Sequence, residues 1–199
     1  MFRSIDKNAV AEIIEKKSKF IANVYPADNK DEAENILKQI RQRYHDAKHN
    51  SYAYIVENIE KCSDDGEPSG TAGAPLLDIL KNNNLNNVII VVTRYFGGIL
   101  LGTGGLVRAY TEAAKKALES TKIIEKEYGI RYWIEISYSN LKEIQYICKQ
   151  LKIEIVNLEY KENVIVTLES NKLKKERLEN SKINIIEKGI TSKEIIIKV

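Results

Sequence analysis

Cysteine, proline, tryptophan and net charge are all scarce in this sequence, and each shortage narrows what the chain can be. Only two cysteines, Cys62 and Cys148, occur in 199 residues. They stand far apart and form neither a disulfide framework nor a zinc spacing, so a reducing, cytoplasmic setting is expected. No apolar run approaches the roughly 18 residues of a membrane span. The opening MFRSIDKNAVAEI is charged where a signal peptide needs an apolar stretch, and no membrane partner is expected. The net charge is only +3, too little to argue for nucleic acid by itself. All of that excess falls from Tyr128 onward, which leaves the first part of the chain neutral. The two histidines, His45 and His49, are four apart, but no Cys or carboxylate accompanies them in a HExxH-like arrangement. A loop position, or support for the following strand, is the expected role of His49.

What the sequence does have is concentrated in Val88–Tyr110, VIIVVTRYFGGILLGTGGLVRAY. An unbroken apolar run reads as a buried strand. It breaks at Arg94, Tyr95 and Phe96 into a loop holding Gly97, Gly98, Gly102, Gly104 and Gly105. A helix from about Gly105 to Ser120 follows, with Leu106, Ala109, Tyr110, Ala113 and Ala117 on its apolar face. The stretch contains Arg94 and Arg108 and no acid. A strand feeding a glycine-rich turn and a helix N-terminus offers free backbone N–H groups to an anion. Glycines also serve turns with positive φ and close backbone packing, and both readings stay open at this level.

The rest of the chain arranges itself around that stretch. Ala9–Ala27 reads as two strands with a hairpin corner at Lys16–Lys19. Asp28 is the expected N-cap, with Asp31 three residues on, of a helix from about Asn29 to Tyr44. A strand begins near Asn50. Glu60–Pro75 reads as a structured loop rich in Asp, Gly and Pro, with Ser69 or Thr71 capping a helix that reaches about Asn83. Its carboxylates Asp64, Asp65 and Glu67 either serve the helix dipole, hold Arg94 or Arg108, or bind a hard cation such as Mg²⁺. Beyond Lys122 glycine and proline almost vanish. Strand Arg131–Tyr138, helix Asn140–Leu151, strands Ile153–Tyr160 and Val164–Glu169, helix Asn171–Asn180 and a last strand Glu194–Val199 give the βαββαβ order of a ferredoxin-like domain. The fold class is therefore α/β (α+β), with domains at residues 1–125 and 126–199.

Known phosphate loops do not fit. There is no lysine between Val88 and Tyr110 for a Walker loop, and Val107 stands where a dinucleotide fingerprint needs its third glycine. What remains is a glycine loop flanked by two arginines and an aromatic pair, suited to a phosphate or carboxylate and to a stacked base.

DDGEPSGTAGAP (Asp64–Pro75), VVTRYFGGILLGTGGLVRAY (Val91–Tyr110) and HNSYAY from His49 together resemble the signature of the IMPACT family, whose bacterial two-domain members are called YigZ. The resemblance spans Ser18 to about Leu118. It implies an N-terminal domain like that of a ribosomal protein and the GHMP kinases, and a C-terminal domain like the last domain of elongation factor G. Eukaryotic relatives carry an added N-terminal domain and regulate translation. The Pro and Ser-Ser pattern of the kinases is missing here, and the family assigns no settled catalytic activity.

Three functions are carried forward. The first is non-enzymatic binding of nucleic acid or the ribosome, through Arg94, Tyr95, Phe96, the five glycines and Arg108, with His49 and Tyr110 in support. The second is an enzyme or sensor for a small phosphate-containing ligand, with Mg²⁺ or a base supplied by Asp64, Asp65 and Glu67. The third makes both motifs fold-determining, with the acids pairing with the arginines and the glycines permitting tight turns. As a site, Arg94, the glycines and Arg108 are expected to form one wall of a cleft and the acidic loop the other.

Overall fold

The computed structural model describes residues 1–181 and 183–198, of which 192–198 are described by backbone alone. The chain forms two compact units, one of Phe2–Glu125 and one from Lys126 on.

The first unit contains β1 (Phe2–Ile5), β2 (Ala9–Glu15), β3 (Ser18–Pro26), α1 (Lys30–Arg43), β4 (His49–Val56), β5 (Ile59–Ser63), α2 (Gly73–Asn82), β6 (Val88–Tyr95) and α3 (Gly102–Glu119). Its sheet runs in the order β2-β3-β6-β4-β5, antiparallel throughout. β6 lies at the centre, and its apolar run is buried on both faces. Val88, Ile90 and Val92 join the core under α2 and α3, while Ile89 and Val91 join the core under α1. β4 is divided in the same way, with Ala53 and Ile55 on the first side and Tyr52, Tyr54 and Val56 on the second. The apolar face expected of α3 is its buried face, extended by Ala114 and Leu118.

The β2–β3 hairpin turns on Lys16 and Lys17, both in the left-handed region (φ 44 and 63). That is the backbone of a two-residue turn whose twist matches the strands. Gly97 packs directly on this turn. A Cβ added there would stand 2.0 Å from the Lys17 carbonyl carbon, so only glycine fits.

Four local expectations are corrected. The cap of α1 is Asn29, not Asp28: its side chain accepts from the Glu32 N–H at 2.9 Å, and Glu32 reaches back to the Asp28 N–H at 2.7 Å. The box thus starts one residue later than the Asp28–Asp31 pair suggests. β1 and β5 are strands that the pattern hides, because β5 is an exposed edge with no alternation to read. α2 is capped by neither Ser69 nor Thr71; Asp64 does that work from a distance. α3 starts at Gly102 rather than Gly105, so three glycines of the supposed loop form its first turn. Their low helix propensity concealed this.

The second unit contains β7, which begins at the boundary (Ile123–Ile136), α4 (Leu141–Leu151), β8 (Glu154–Tyr160), β9 (Val164–Ser170), α5 (Lys172–Glu179) and β10 (Ile185–Lys198). These strands lie in the order β10-β7-β9-β8, the ferredoxin-like arrangement. Tyr132, Ile134, Ile136, Ile144, Cys148, Val164, Val166 and Leu168 build its core. Tyr138 is not part of the strand; it starts a short 3₁₀ turn and is exposed. β10 begins nine residues before the expected Glu194, and Val199 lies outside the described residues. Among the described residues, no helix is long and apolar enough to cross a membrane.

Candidate functional site

Arg94 ends the buried part of β6, on the face that packs under α2 and α3. It stands opposite Phe20 of β3 and His49 of β4, and directly opposed residues share a face. The side chain is 7 % exposed. Its Nη1 donates to both oxygens of Glu67, at 2.8 and 2.9 Å, and the Tyr110 hydroxyl donates to the same Glu67 Oε1 at 2.8 Å. Burial, with the Glu67 charge beside it, pushes the Tyr110 hydroxyl far above the ordinary tyrosine range. The rings of Phe20 and Phe96 each lie 5.5 Å from the Arg94 guanidinium carbon. The Arg94 Nε is buried with no hydrogen-bond partner, an arrangement that costs about 1–3 kcal/mol.

The other two acids of the loop are also engaged. Asp64 accepts from the N–H groups of Gly70, Ala72 and Gly73 at 2.8–2.9 Å, which caps α2 through the loop rather than from the adjoining residue. Burial opposes ionisation of Asp64, but the three N–H donors outweigh it and hold its carboxyl below the ordinary range. Asp65 accepts from Arg41 Nη2 and from the Asn50 N–H, both at 2.7 Å. The His49 Nδ1–H donates to the Asp65 carbonyl at 2.9 Å, and the Ser51 hydroxyl to the Asp64 carbonyl at 2.7 Å. The loop is therefore fastened to β4 by backbone and side chain alike. Among the described residues, no three His, Cys, Asp or Glu side chains gather as a metal site.

The remaining site candidates are elsewhere. Arg108 is exposed on α3 and does not face the acidic loop; with Lys16, Glu15 and Glu112 it lines a small cavity of ≈ 130 Å³. Arg94 does not line that cavity. Gly98 and Gly102 have φ of +84 and +72, while Gly104 and Gly105 lie in the first turn of α3, whose N-cap Leu101 offers no side-chain acceptor. Phe96, Ile99 and Leu100 are exposed, Leu100 by 82 %. The Tyr95 hydroxyl donates to Asp46 at 2.7 Å, and this bond raises its pKa to about 12. Sequence reasoning missed Phe20, Ser51 and Arg41. The HNSYAY segment contains Ser51, but Phe20 and Arg41 carry no signal beyond being apolar and helical-surface positions.

The Impact N-terminal domain model matches residues 16–118. The chain is 36 % identical over 156 residues to the IMPACT family member YvyE of Bacillus subtilis (strain 168), covering 77 % of this chain and 72 % of that protein. It is 35 % identical over 156 residues to the IMPACT family member YigZ of Escherichia coli (strain K12), covering 76 % of each. A crystal structure of a hypothetical protein superposes with a TM-score of 0.66 at 30 % identity, covering 89 % of this chain and 88 % of that one.

Proposed function

The chain belongs to the IMPACT family, and from that premise we propose that it is a non-enzymatic, RNA-binding protein of the translation apparatus, meeting the ribosome through its first unit. One observation carries this reading: the acids of the signature and its Arg94 are spent on structure, whereas Arg108, the hairpin-turn lysines beside it and the apolar side chains that follow Tyr95 face solvent. Lys16, Lys17 and Arg108 are exposed, and none makes an ion pair among the described residues. Phe96–Leu100 adjoins them, because Gly97 packs on the Lys17 backbone. Cations that neutralise phosphates and an aromatic that stacks on a base are what a single-stranded or looped RNA requires.

The same observation weighs against a Mg²⁺-dependent enzyme for a phosphorylated ligand. Asp64 and Asp65 already accept from backbone and arginine donors on both oxygens, and Glu67 from Arg94 and Tyr110. A cation would have to displace those donors. Binding of the intact chain to ribosomes and to single-stranded RNA, measured at several salt concentrations, tests the reading. Affinity should fall linearly with the logarithm of salt; binding that is absent or indifferent to salt would refute it.

A further inference from the structure

We infer that the free edge of the Arg94 guanidinium is a binding subsite for a single oxyanion, a phosphate or a carboxylate group. A guanidinium presents five N–H donors in a fixed planar fork. Glu67 engages only Nη1, with both of its oxygens on that one nitrogen. On the opposite edge, made by Nε and Nη2, Nε is buried with no hydrogen-bond partner among the described residues. Two parallel donors of that kind match the two oxygens of a carboxylate or phosphate.

The surroundings favour a bound ion over a frayed side chain. Arg94 is 93 % removed from solvent by the 7 % exposure of its side chain. The Glu67 bonds and the two rings fix where the guanidinium sits. Aromatic rings attract the cation but supply no in-plane acceptor for the free edge. Phe20 is fully buried, whereas Phe96 is 55 % exposed, so the outer ring is the movable wall. Such an orphaned donor in an otherwise satisfied network marks a place where an acceptor from outside belongs.

This site differs from the exposed cations assigned to RNA. A lone oxyanion binds at Arg94 whether or not the chain meets RNA; where it does, a phosphodiester is one source of the ion. The intact ¹⁵N-labelled chain can be examined by spectra of the arginine Nε–H groups, with Arg94 assigned through bonds. Sodium phosphate and sodium acetate are titrated separately, with sodium chloride holding ionic strength constant. The Arg94 Nε–H signal should move saturably with phosphate, with acetate or with both, and at least tenfold more than the Arg108 signal. Response to phosphate alone identifies a phosphate site, and response to both a general oxyanion site. Absence of a saturable shift with either anion, or equal shifts at every arginine, overturns the assignment. Phe96→Ala leaves the Glu67 pair in place and should change the half-saturation concentration at least threefold; an unchanged midpoint contradicts a site walled by Phe96. Loss of RNA binding with a persistent anion shift separates the failure of one reading from that of the other.

Discussion

Glu67 and Arg94, 27 residues apart, meet inside the first unit through a single nitrogen that serves both carboxylate oxygens. Both side chains are buried, so the loop from Asp64 to Thr71 is tied to the end of β6 by a charge pair. A buried pair is weak evidence for stability, yet breaking it strands an uncompensated charge. Glu67→Ala should therefore cost about 3–5 kcal/mol in urea unfolding. Replacing both partners by apolar residues, Glu67→Leu with Arg94→Met, should recover most of that loss. A cost below about 1 kcal/mol for the single variant would show that Arg94 is solvated after all.

Asp64 gives a second test, through pH. Its folded-state carboxyl is held below the ordinary range by three N–H donors, despite burial. A depressed acid stabilises the fold above its unfolded-state pKa, near 3.9, and that contribution is lost as pH falls through the lower folded value. Asp64→Asn should cost about 1–2 kcal/mol at pH 7, as for loss of a helix cap. The difference from the natural chain should shrink below about pH 4. Equal differences at pH 7 and pH 3 would argue that the carboxylate charge plays no part.

Two glycines of the same stretch should behave in opposite ways. Gly97→Ala places a methyl 2.0 Å from the Lys17 backbone, which cannot yield without opening the β2–β3 turn. Its expected cost exceeds about 3 kcal/mol, comparable to severe overpacking. At Gly104, within α3, the nearest atom to an added Cβ is the tip of Arg108 at 3.6 Å. Gly104→Ala should then raise stability by about 1 kcal/mol, the helix-propensity difference. Thermal unfolding of the two variants decides whether the glycines serve one role or two.

These particulars show where sequence reading succeeds and why it stops. β6 was legible because a run of Val and Ile can only be a strand covered on both sides, as it is by α1 on one face and by α2 and α3 on the other. α3 was legible in its interior, where Ala109, Tyr110, Ala113 and Ala117 recur with helical spacing, but not at its start, where glycine obscures the period. β5 was hidden because an exposed edge strand selects no alternation. The pairing of an acid with Arg94 is one of several choices that the sequence leaves open. What no local pattern could supply was the assignment of each acid: Asp64 to α2, Asp65 to Arg41 and Asn50, Glu67 to Arg94. Those depend on a loop folding back over strand β4, a long-range event. Arg108 carried the opposite lesson. It lies in the same motif as Arg94, yet helical geometry turns it to solvent beside Lys16.

The central claim, that the exposed cations beside the hairpin turn contact RNA, is tested most directly by charge reversal. Lys16→Glu, Lys17→Glu and Arg108→Glu are combined, and ribosome binding is measured against salt. These positions are exposed, so unfolding free energy should change by no more than about 0.5 kcal/mol per site. The account predicts binding weakened at least tenfold and a salt slope shallower by about 2, near 0.7 for each lost phosphate contact to single-stranded RNA. A triple variant that binds like the natural chain, with the same slope, would contradict it.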